Sequence, residues 1–182
     1  MLHATKRIAQ GSGLAKALIQ RAATLTLDWD LRQKSRFDGH DSLGRHVGVF
    51  LPRGTVLRGG DVLVTDAGDL LRVVAAPQAV LRITAHAAHG SAFDLARAAY
   101  HLGNRHVPIE LQADHLKIEP DHVLADMVRQ LGLMVTPAVE GFEPEAGAYG
   151  EHAAHGHEHD RHSAEPPHHH PHEPGSAHGH PH

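Results

Sequence analysis

The chain has 182 residues, no cysteine and a formal net charge of -4. This length suits one or two domains with a buried core. Without cysteine, disulfides and thiolate metal sites are excluded, and a reducing cytoplasm is the expected location. No segment approaches the roughly 20 apolar residues of a membrane-spanning helix, so no membrane association is expected. Residues 1–150 balance 16 basic against 16 acidic side chains, which gives no basic surface for nucleic acid.

The first half of the chain has the pattern of a small β domain. Strands are predicted in TLTLDWDL, HVGVFLP, DVLVTD and LLRVVAAP, with breaks at FDGHDSLG, PRGTVLRGGD and DAGD. Several short strands at this spacing are typical of an all-β domain. We therefore predict a β-rich domain over residues 1–78.

Strand and helix patterns alternate from Val80 onward. VLRITAH predicts a strand, and Ser91 is a suitable N-cap for a helix over SAFDLARAAYHL that stops at Gly103. VPIELQ and HLKIE predict two more strands, Asp121 opens a second helix over DHVLADMVRQLG, and LMVTPAVE predicts the last strand. This β-α-β-β-α-β order is the ferredoxin-like plan. The predicted fold class is α+β, with a ferredoxin-like domain over residues 79–147.

Histidine dominates the C-terminal segment, residues 148–182. The chain contains 21 histidines. The segment has almost no large apolar residue, so burial cannot offset its ordering entropy, and disorder is expected when no metal is bound. Imidazoles suit Ni(II), Zn(II) and Cu(II), and neighbouring imidazoles can chelate one ion. The predicted ligands of this tail are His152, His155, His157, His159, His162, His168, His169, His170, His172, His178, His180 and His182.

The tail also has two less specific interpretations. One is a purification tag, although a tag is normally one uninterrupted histidine run. The other is a pH-responsive linker, because protonation of its twelve imidazoles, whose ordinary pKa is about 6.5, would change its formal charge from -4 to +8. Such a response would accompany metal binding, since protons and metal ions compete for the same nitrogens.

The segment GNRHVPIEL, residues 103–111, directs the backbone around His106. Gly103 can adopt a left-handed conformation, Asn104 tolerates one, and Pro108 biases its predecessor toward extended geometry. A lone loop histidine is ordinary, and one imidazole is too few for a nickel or zinc site. Two-fold symmetry removes that objection, because it places two copies of His106 around one axis, where they could share an ion.

Four segments together resemble the UreE family of urease accessory proteins, which are nickel metallochaperones: GNRHVPIEL, DHVLADM, GFEPEAGAYG and the histidine-rich C-terminus. The resemblance covers most of the chain. It implies a homodimer joined through the ferredoxin-like domains, with Ni(II) held at the interface by the GNRH histidine of each chain, here His106. It also implies that the first domain binds a peptide or partner, that the tail adds ligands, and that nickel passes to the urease accessory GTPase and then to the urease apoprotein.

Two auxiliary metal sites are also considered. The amine of Met1, two backbone amides and the imidazole of His3 form a square-planar nitrogen set that suits Ni(II) or Cu(II). Some family members carry His-Asp-His before the second helix, where this chain has PDH, so only His122 is present. An i to i+4 pair between His122 and Asp126 is the alternative role. The other histidines are expected to face solvent: His40, His46, His86, His89, His101 and His115.

No catalytic motif is found in the sequence, so an enzyme is not expected. GSGLAK lacks the lysine and hydroxyl residue of a P-loop, there is no G-x-S-x-G, and an H-E-x-x-H pattern fails at Arg161. The leading hypothesis is a dimeric nickel metallochaperone for urease maturation, with higher association on metal binding left open. One alternative is a histidine-rich nickel or zinc storage or detoxification protein, in which His106 is irrelevant. Another is a peptide-binding module whose tail senses zinc or pH.

Overall fold

Two β-sheets and four α-helices make up residues 1–146, the part of the chain that this computed structural model describes. The architecture is mixed α+β, as predicted. The predicted disorder of residues 148–182 concerns a segment outside the described residues. The strands are β1 (Leu2–Ile8), β2 (Ala23–Leu27), β3 (Arg36–His40), β4 (His46–Phe50), β5 (Val62–Thr65), β6 (Leu70–Ala75), β7 (Pro77–Thr84), β8 (Glu110–Leu111), β9 (His115–Ile118) and β10 (Met134–Gly141). The helices are α1 (Lys16–Arg21), α2 (Trp29–Arg32), α3 (Ala92–Gly103) and α4 (His122–Gln130).

The first sheet has six strands in the order β2-β6-β5-β1-β4-β3. Its inward side chains are aliphatic and form one buried cluster, in which Leu25, Val47, Leu63 and Leu71 are completely inaccessible. β1 lies inside this sheet, parallel to β4 and antiparallel to β5. β1 is not predicted from the sequence pattern, because its charged residues interrupt the apolar alternation.

Two local predictions for the first sheet were wrong. The segment TLTLDWDL does not continue as a strand, since β2 ends at Leu27 and Trp29 begins α2. Asp28 causes the change, because its carboxylate accepts a hydrogen bond from the Leu31 amide at 2.9 Å and so caps a helical turn. The segment FDGHDSLG is not simply a break, since β3 runs as far as His40 and pairs with β4 as a hairpin.

The second sheet has the order β10-β7-β9-β8, with every neighbouring pair antiparallel. This order and the two intervening helices are those of the predicted ferredoxin-like fold. Ser91 is the N-cap of α3, as predicted, and it forms a capping box with Asp94. The helices pack on the sheet through a buried cluster that includes Ile83, Leu102 and Val128.

A buried cluster around Arg32 joins elements of the two sheets. The Trp29 and Phe142 rings meet edge to face at 6.2 Å, and Val80 is buried beside them. Arg32 is completely inaccessible; its Nε donates to the carbonyl of Leu27 and its Nη2 to the carbonyl of Phe142.

Because residues 1–146 form one compact unit, the predicted division of the chain at residue 78 remains a prediction. None of the described helices is long and apolar enough to span a membrane.

Candidate metal centre

His106 is exposed and has a left-handed backbone conformation, with a φ of +57°. Within residues 1–146, the other non-glycine residue with positive φ is Gln10. A left-handed conformation costs an L-residue about 1–2 kcal/mol. Gly103 and Asn104, which the sequence offers as residues that tolerate this conformation, do not adopt it: α3 continues through Gly103, and Asn104 is right-handed, with a φ of -61°.

Two hydrogen bonds at the end of α3 explain why His106 adopts this conformation. The amide of Val107 donates to the carbonyl of Leu102 at 3.4 Å, and the amide of His106 donates to the carbonyl of Gly103 at 2.9 Å. This is the Schellman pattern, whose left-handed position is usually glycine. Val107 packs against the cluster that contains Leu102, which supplies the hydrophobic contact typical of the motif. The sequence therefore places an imidazole where a helix normally ends in glycine.

The surroundings of His106 favour a cation. The backbone carbonyls at the end of α3 carry the negative end of the helix dipole. The guanidinium of Arg105 already donates to the carbonyl of His101 at 2.9 Å.

The end of the described chain lies on the far side of the turn. There the amide of Glu145 donates to the carbonyl of Ile109 at 2.7 Å. The end of the described chain is thus fixed to the segment that carries His106.

His106 does not have two further ligands from its own described chain. Within residues 1–146, no group of three or more His, Asp or Glu side chains is arranged to hold a metal ion. The twelve predicted tail ligands lie outside the described residues. A metal ion at His106 therefore needs donors from a second chain, from the tail or from water.

The auxiliary site at Met1 and His3 would require existing contacts to break. His3 lies in β1, where its amide donates to Asp66 Oδ1 at 3.2 Å and its Nδ1 lies 3.0 Å from Asp66 Oδ2. These backbone and ring hydrogen bonds lower the pKa of the Asp66 carboxyl. A square-planar site needs that amide deprotonated and bound to metal, so the site remains a prediction.

His122 is exposed at the first turn of α4. Its neighbour Asp121 caps the helix by accepting from the Leu124 amide at 2.9 Å. Asp126 pairs with Arg129 at 2.8 Å rather than with His122, which removes the structural role expected for His122. Its imidazole stays available to solvent, and its auxiliary metal role remains a prediction.

His115 is buried, contrary to the expectation that it faces solvent. It is 9% exposed, and its Nδ1 lies 2.7 Å from Asp114 Oδ1 and 3.2 Å from Arg82 Nη2. The reason is that β9 is an interior strand with all four residues buried. The hydrogen bond from His115 lowers the pKa of the Asp114 carboxyl.

Two further pairs of histidines lie in contact within the described residues. His40 and His46 face each other across the β3–β4 hairpin, with ring centroids 5.2 Å apart, and both are exposed. His86 and His89 stack at 3.9 Å in the loop before α3. From the sequence these four residues are expected to face solvent, and contact between the rings of either pair is not predicted.

The loop of the β3–β4 hairpin is held by the buried carboxylate of Asp41. It accepts from the amides of Leu43 and Arg45 at 2.9 Å each and from Arg45 Nε at 2.7 Å, and Arg45 also pairs with Asp69 at 2.8 Å. Burial by itself would raise the pKa of Asp41, but the hydrogen bonds from Arg45 and Leu43 bring it below the ordinary value of 3.8.

Asp41→Asn is expected to lower the free energy of unfolding at pH 7 by about 1–3 kcal/mol, because hydrogen bonds to a charged group are lost. Since the folded-state pKa of Asp41 is depressed, its contribution is complete above the ordinary value and is lost as the pH falls from that value through the lower folded-state pKa. Urea unfolding of both proteins from pH 7 down to pH 3 checks this. The difference should shrink on acidification, and a pH-independent difference would contradict it.

Two family models together cover nearly the whole chain. The N-terminal domain of the UreE urease accessory protein matches residues 4–76, and its C-terminal domain matches residues 78–182. The chain belongs to the UreE urease accessory protein family. This confirms the resemblance carried by GNRHVPIEL and agrees with the prediction that the protein is not an enzyme.

Relatives from several bacteria, each a "Urease accessory protein UreE", resemble most of the chain. The protein from Polaromonas naphthalenivorans (strain CJ2) is 68% identical over 159 residues, which are 87% of this chain and 76% of that protein. The Albidiferax ferrireducens protein is 66% identical over 160 residues, 88% of this chain and 91% of its own. The Burkholderia ambifaria protein is 54% identical over 153 residues, which are 84% of this chain and 74% of that protein.

Proposed function

We propose that this protein is a cytoplasmic nickel metallochaperone for urease maturation. It acts as a homodimer that holds Ni(II) between the two copies of His106 and delivers it through the urease accessory GTPase to the urease apoprotein. Family membership supports the role in urease maturation. The observation that carries the metal site is the left-handed, exposed His106 at the end of α3.

The conformation of His106 supports a metal-binding role. Strained conformations persist where the surrounding structure enforces them, and they are common at functional sites. Here the Schellman hydrogen bonds hold the backbone, so the exposed imidazole projects from a defined position. Imidazole suits Ni(II), and the negative end of α3 favours a cation beside it. One imidazole is too few to hold a nickel ion. A two-fold symmetric dimer would supply the second from the same residue of the other chain.

The connection between Glu145 and Ile109 supports a contribution from the tail. Because Glu145 is hydrogen-bonded to the segment that follows His106, the chain after Ala146 starts from that part of the molecule. Tail histidines are therefore suitable additional ligands. We retain the assignment of residues 1–78 as the partner-binding part, 79–147 as the metal-binding and dimerisation part, and 148–182 as the histidine-rich ligand segment. Zn(II) and Cu(II) compete for the same imidazoles.

Nickel transfer by this protein would be ligand exchange without bond-making catalysis. Exposed imidazoles from two chains can be replaced one at a time when a partner docks, whereas a closed cage would retain its ion. The tails collect Ni(II), the His106 pair holds it, and the docked GTPase supplies competing ligands. Each step conserves the charge and oxidation state of the ion.

The proposal predicts that Ni(II) controls capture of the urease accessory GTPase. The immobilised full chain should bind the purified GTPase about tenfold more tightly with Ni(II) than with a chelator. His106→Gly should lose this dependence, while the matched control His86→Gln should keep it. Equal capture with and without Ni(II), or a normal response in the His106 variant, would contradict the proposal and favour a storage protein.

A further inference from the structure

The outer face of the first sheet brings two imidazoles together without help from a second chain. His40 on β3 and His46 on β4 are directly paired across the hairpin. Neither belongs to the turn that carries His106. We propose that His40 and His46 form a second metal-binding site, which chelates a divalent ion that prefers nitrogen donors, such as Zn(II), Ni(II) or Cu(II).

The register of the hairpin places these two side chains at the closest kind of cross-strand position. The amide of Asp41 donates to the carbonyl of Arg45, and that of Leu51 donates to the carbonyl of Ser35. Hydrogen-bonded and non-hydrogen-bonded pairs alternate along an antiparallel hairpin. The two bonds therefore show that the odd-numbered residues of β3 belong to hydrogen-bonded pairs and the even-numbered residues to non-hydrogen-bonded pairs. His40 and His46 therefore form a non-hydrogen-bonded pair, in which side chains approach more closely.

The observed side-chain geometry agrees with this register. The two rings are stacked, with centroids 5.2 Å apart and planes 21° from parallel. Both residues are exposed, so rotation about the side-chain bonds can turn a nitrogen of each ring toward one ion. The paired strands keep the imidazoles close before metal arrives, which reduces the entropy lost on chelation.

The surroundings of His46 offer a carboxylate. Asp38 Oδ1 lies 3.6 Å from His46 Nε2. A Cβ added at Gly48 would lie 2.9 Å from the Phe50 ring, 3.0 Å from Met1 Cε and 3.3 Å from Asp38 Oδ1. These three side chains thus converge over the bare backbone of Gly48. The carboxylate favours a nearby cation, and water completes the ligand set of the two imidazoles.

The framework beneath the pair is rigid. Asp41 fixes the connecting loop through Leu43 and Arg45, and Arg45 is tied to Asp69 on the loop between β5 and β6. His46 belongs to β4, an interior strand of the sheet. The site therefore differs from the histidine-rich tail, because its two donors are positioned by a folded hairpin. One chain supplies both imidazoles, so the expected stoichiometry is one ion per chain.

Residue-specific labelling tests the site in the full chain, despite the many other histidines. Diethyl pyrocarbonate modifies free imidazoles, and peptide mass spectrometry measures the modification of each histidine as Zn(II) is added. His40 and His46 should become protected together, with one midpoint. His40→Gln should weaken the protection of His46 by about 100-fold in Zn(II) concentration, because a chelate becomes a single ligand. His46→Gln should do the same to His40.

Two controls separate chelation from other effects. His122→Gln, which changes an exposed imidazole elsewhere, should leave the protection of both hairpin residues unchanged. Circular dichroism should show the native fold in each variant, since both changes lie on the exposed face. Protection of His46 that persists in His40→Gln, or no protection of either residue at saturating Zn(II), would overturn the proposal. The test leaves His106 intact, so its result is independent of the interface site.

Discussion

Replacing His106 by glycine is expected to stabilise the metal-free protein while removing the proposed interface site for Ni(II). The left-handed conformation costs histidine about 1–2 kcal/mol, and glycine avoids this cost. Glycine loses roughly 0.4–1 kcal/mol through the greater freedom of the unfolded chain. The net expectation is a gain of about 0–1.6 kcal/mol, centred on ~0.8 kcal/mol, in the free energy of unfolding, measured by urea denaturation with a chelator present.

Two further substitutions at position 106 separate backbone strain from ligand chemistry. Asparagine tolerates the left-handed region, so His106→Asn should be close to the wild type in stability and still lack the imidazole. His106→Ala should gain nothing from relieved strain, because alanine has the same backbone penalty. A glycine variant that is less stable than the alanine variant would contradict the strain argument. Such a result would mean that relief of backbone strain at position 106 is smaller than the cost of the greater freedom of glycine in the unfolded chain.

Replacing Arg32 by methionine is expected to have the largest effect on stability. Arg32 is completely buried, donates to the carbonyls of Leu27 and Phe142, and has Nη1 2.8 Å from Glu143 Oε1. Methionine fills part of the volume but leaves both carbonyls and a carboxylate without this cation. Hydrogen bonds to charged groups contribute about 1.5–3 kcal/mol each, and two buried ones are lost here, so the expected loss is about 3–6 kcal/mol. Thermal and urea unfolding at pH 7 measure the loss.

The matched control for Arg32 is Arg129→Met. Arg129 forms an exposed pair with Asp126 at 2.8 Å on α4, and exposed pairs contribute about 0–1 kcal/mol. The two substitutions remove the same chemical group from a buried and an exposed position. Similar small losses in both variants would contradict the view that Arg32 links the two sheets.

Sequence patterns predicted the second sheet better than the first. Ser91 and Asp121 predict where the two helices of the ferredoxin-like part begin, and in the structure they are the N-caps of α3 and α4. In the first sheet, β1 was missed because Lys6 and Arg7 interrupt its apolar pattern. Trp29 was assigned to a strand because a local pattern does not reveal that the preceding Asp28 starts a helical turn.

The identity of the candidate ligand was evident from the sequence, but its conformation was not. GNRHVPIEL singled out His106, yet Gly103 and Asn104 were the natural candidates for a left-handed residue. Which residue occupies that position depends on where α3 ends, and helix ends are poorly determined by local sequence. The pairing of His40 with His46 likewise required β3, which was interpreted as a break.

The most direct test of the central claim is the stoichiometry of Ni(II) binding by the chain ending at Gly150, which keeps the compact unit of residues 1–146 and removes the tail histidines. Calorimetry counts ions and light scattering measures mass, for the wild type and His106→Gly, each in the His40→Gln/His46→Gln background. We expect a dimer with one tight ion per two chains, and loss of that ion in the His106 variant. One tight ion that persists without His106, or no tight ion in either protein, would contradict it.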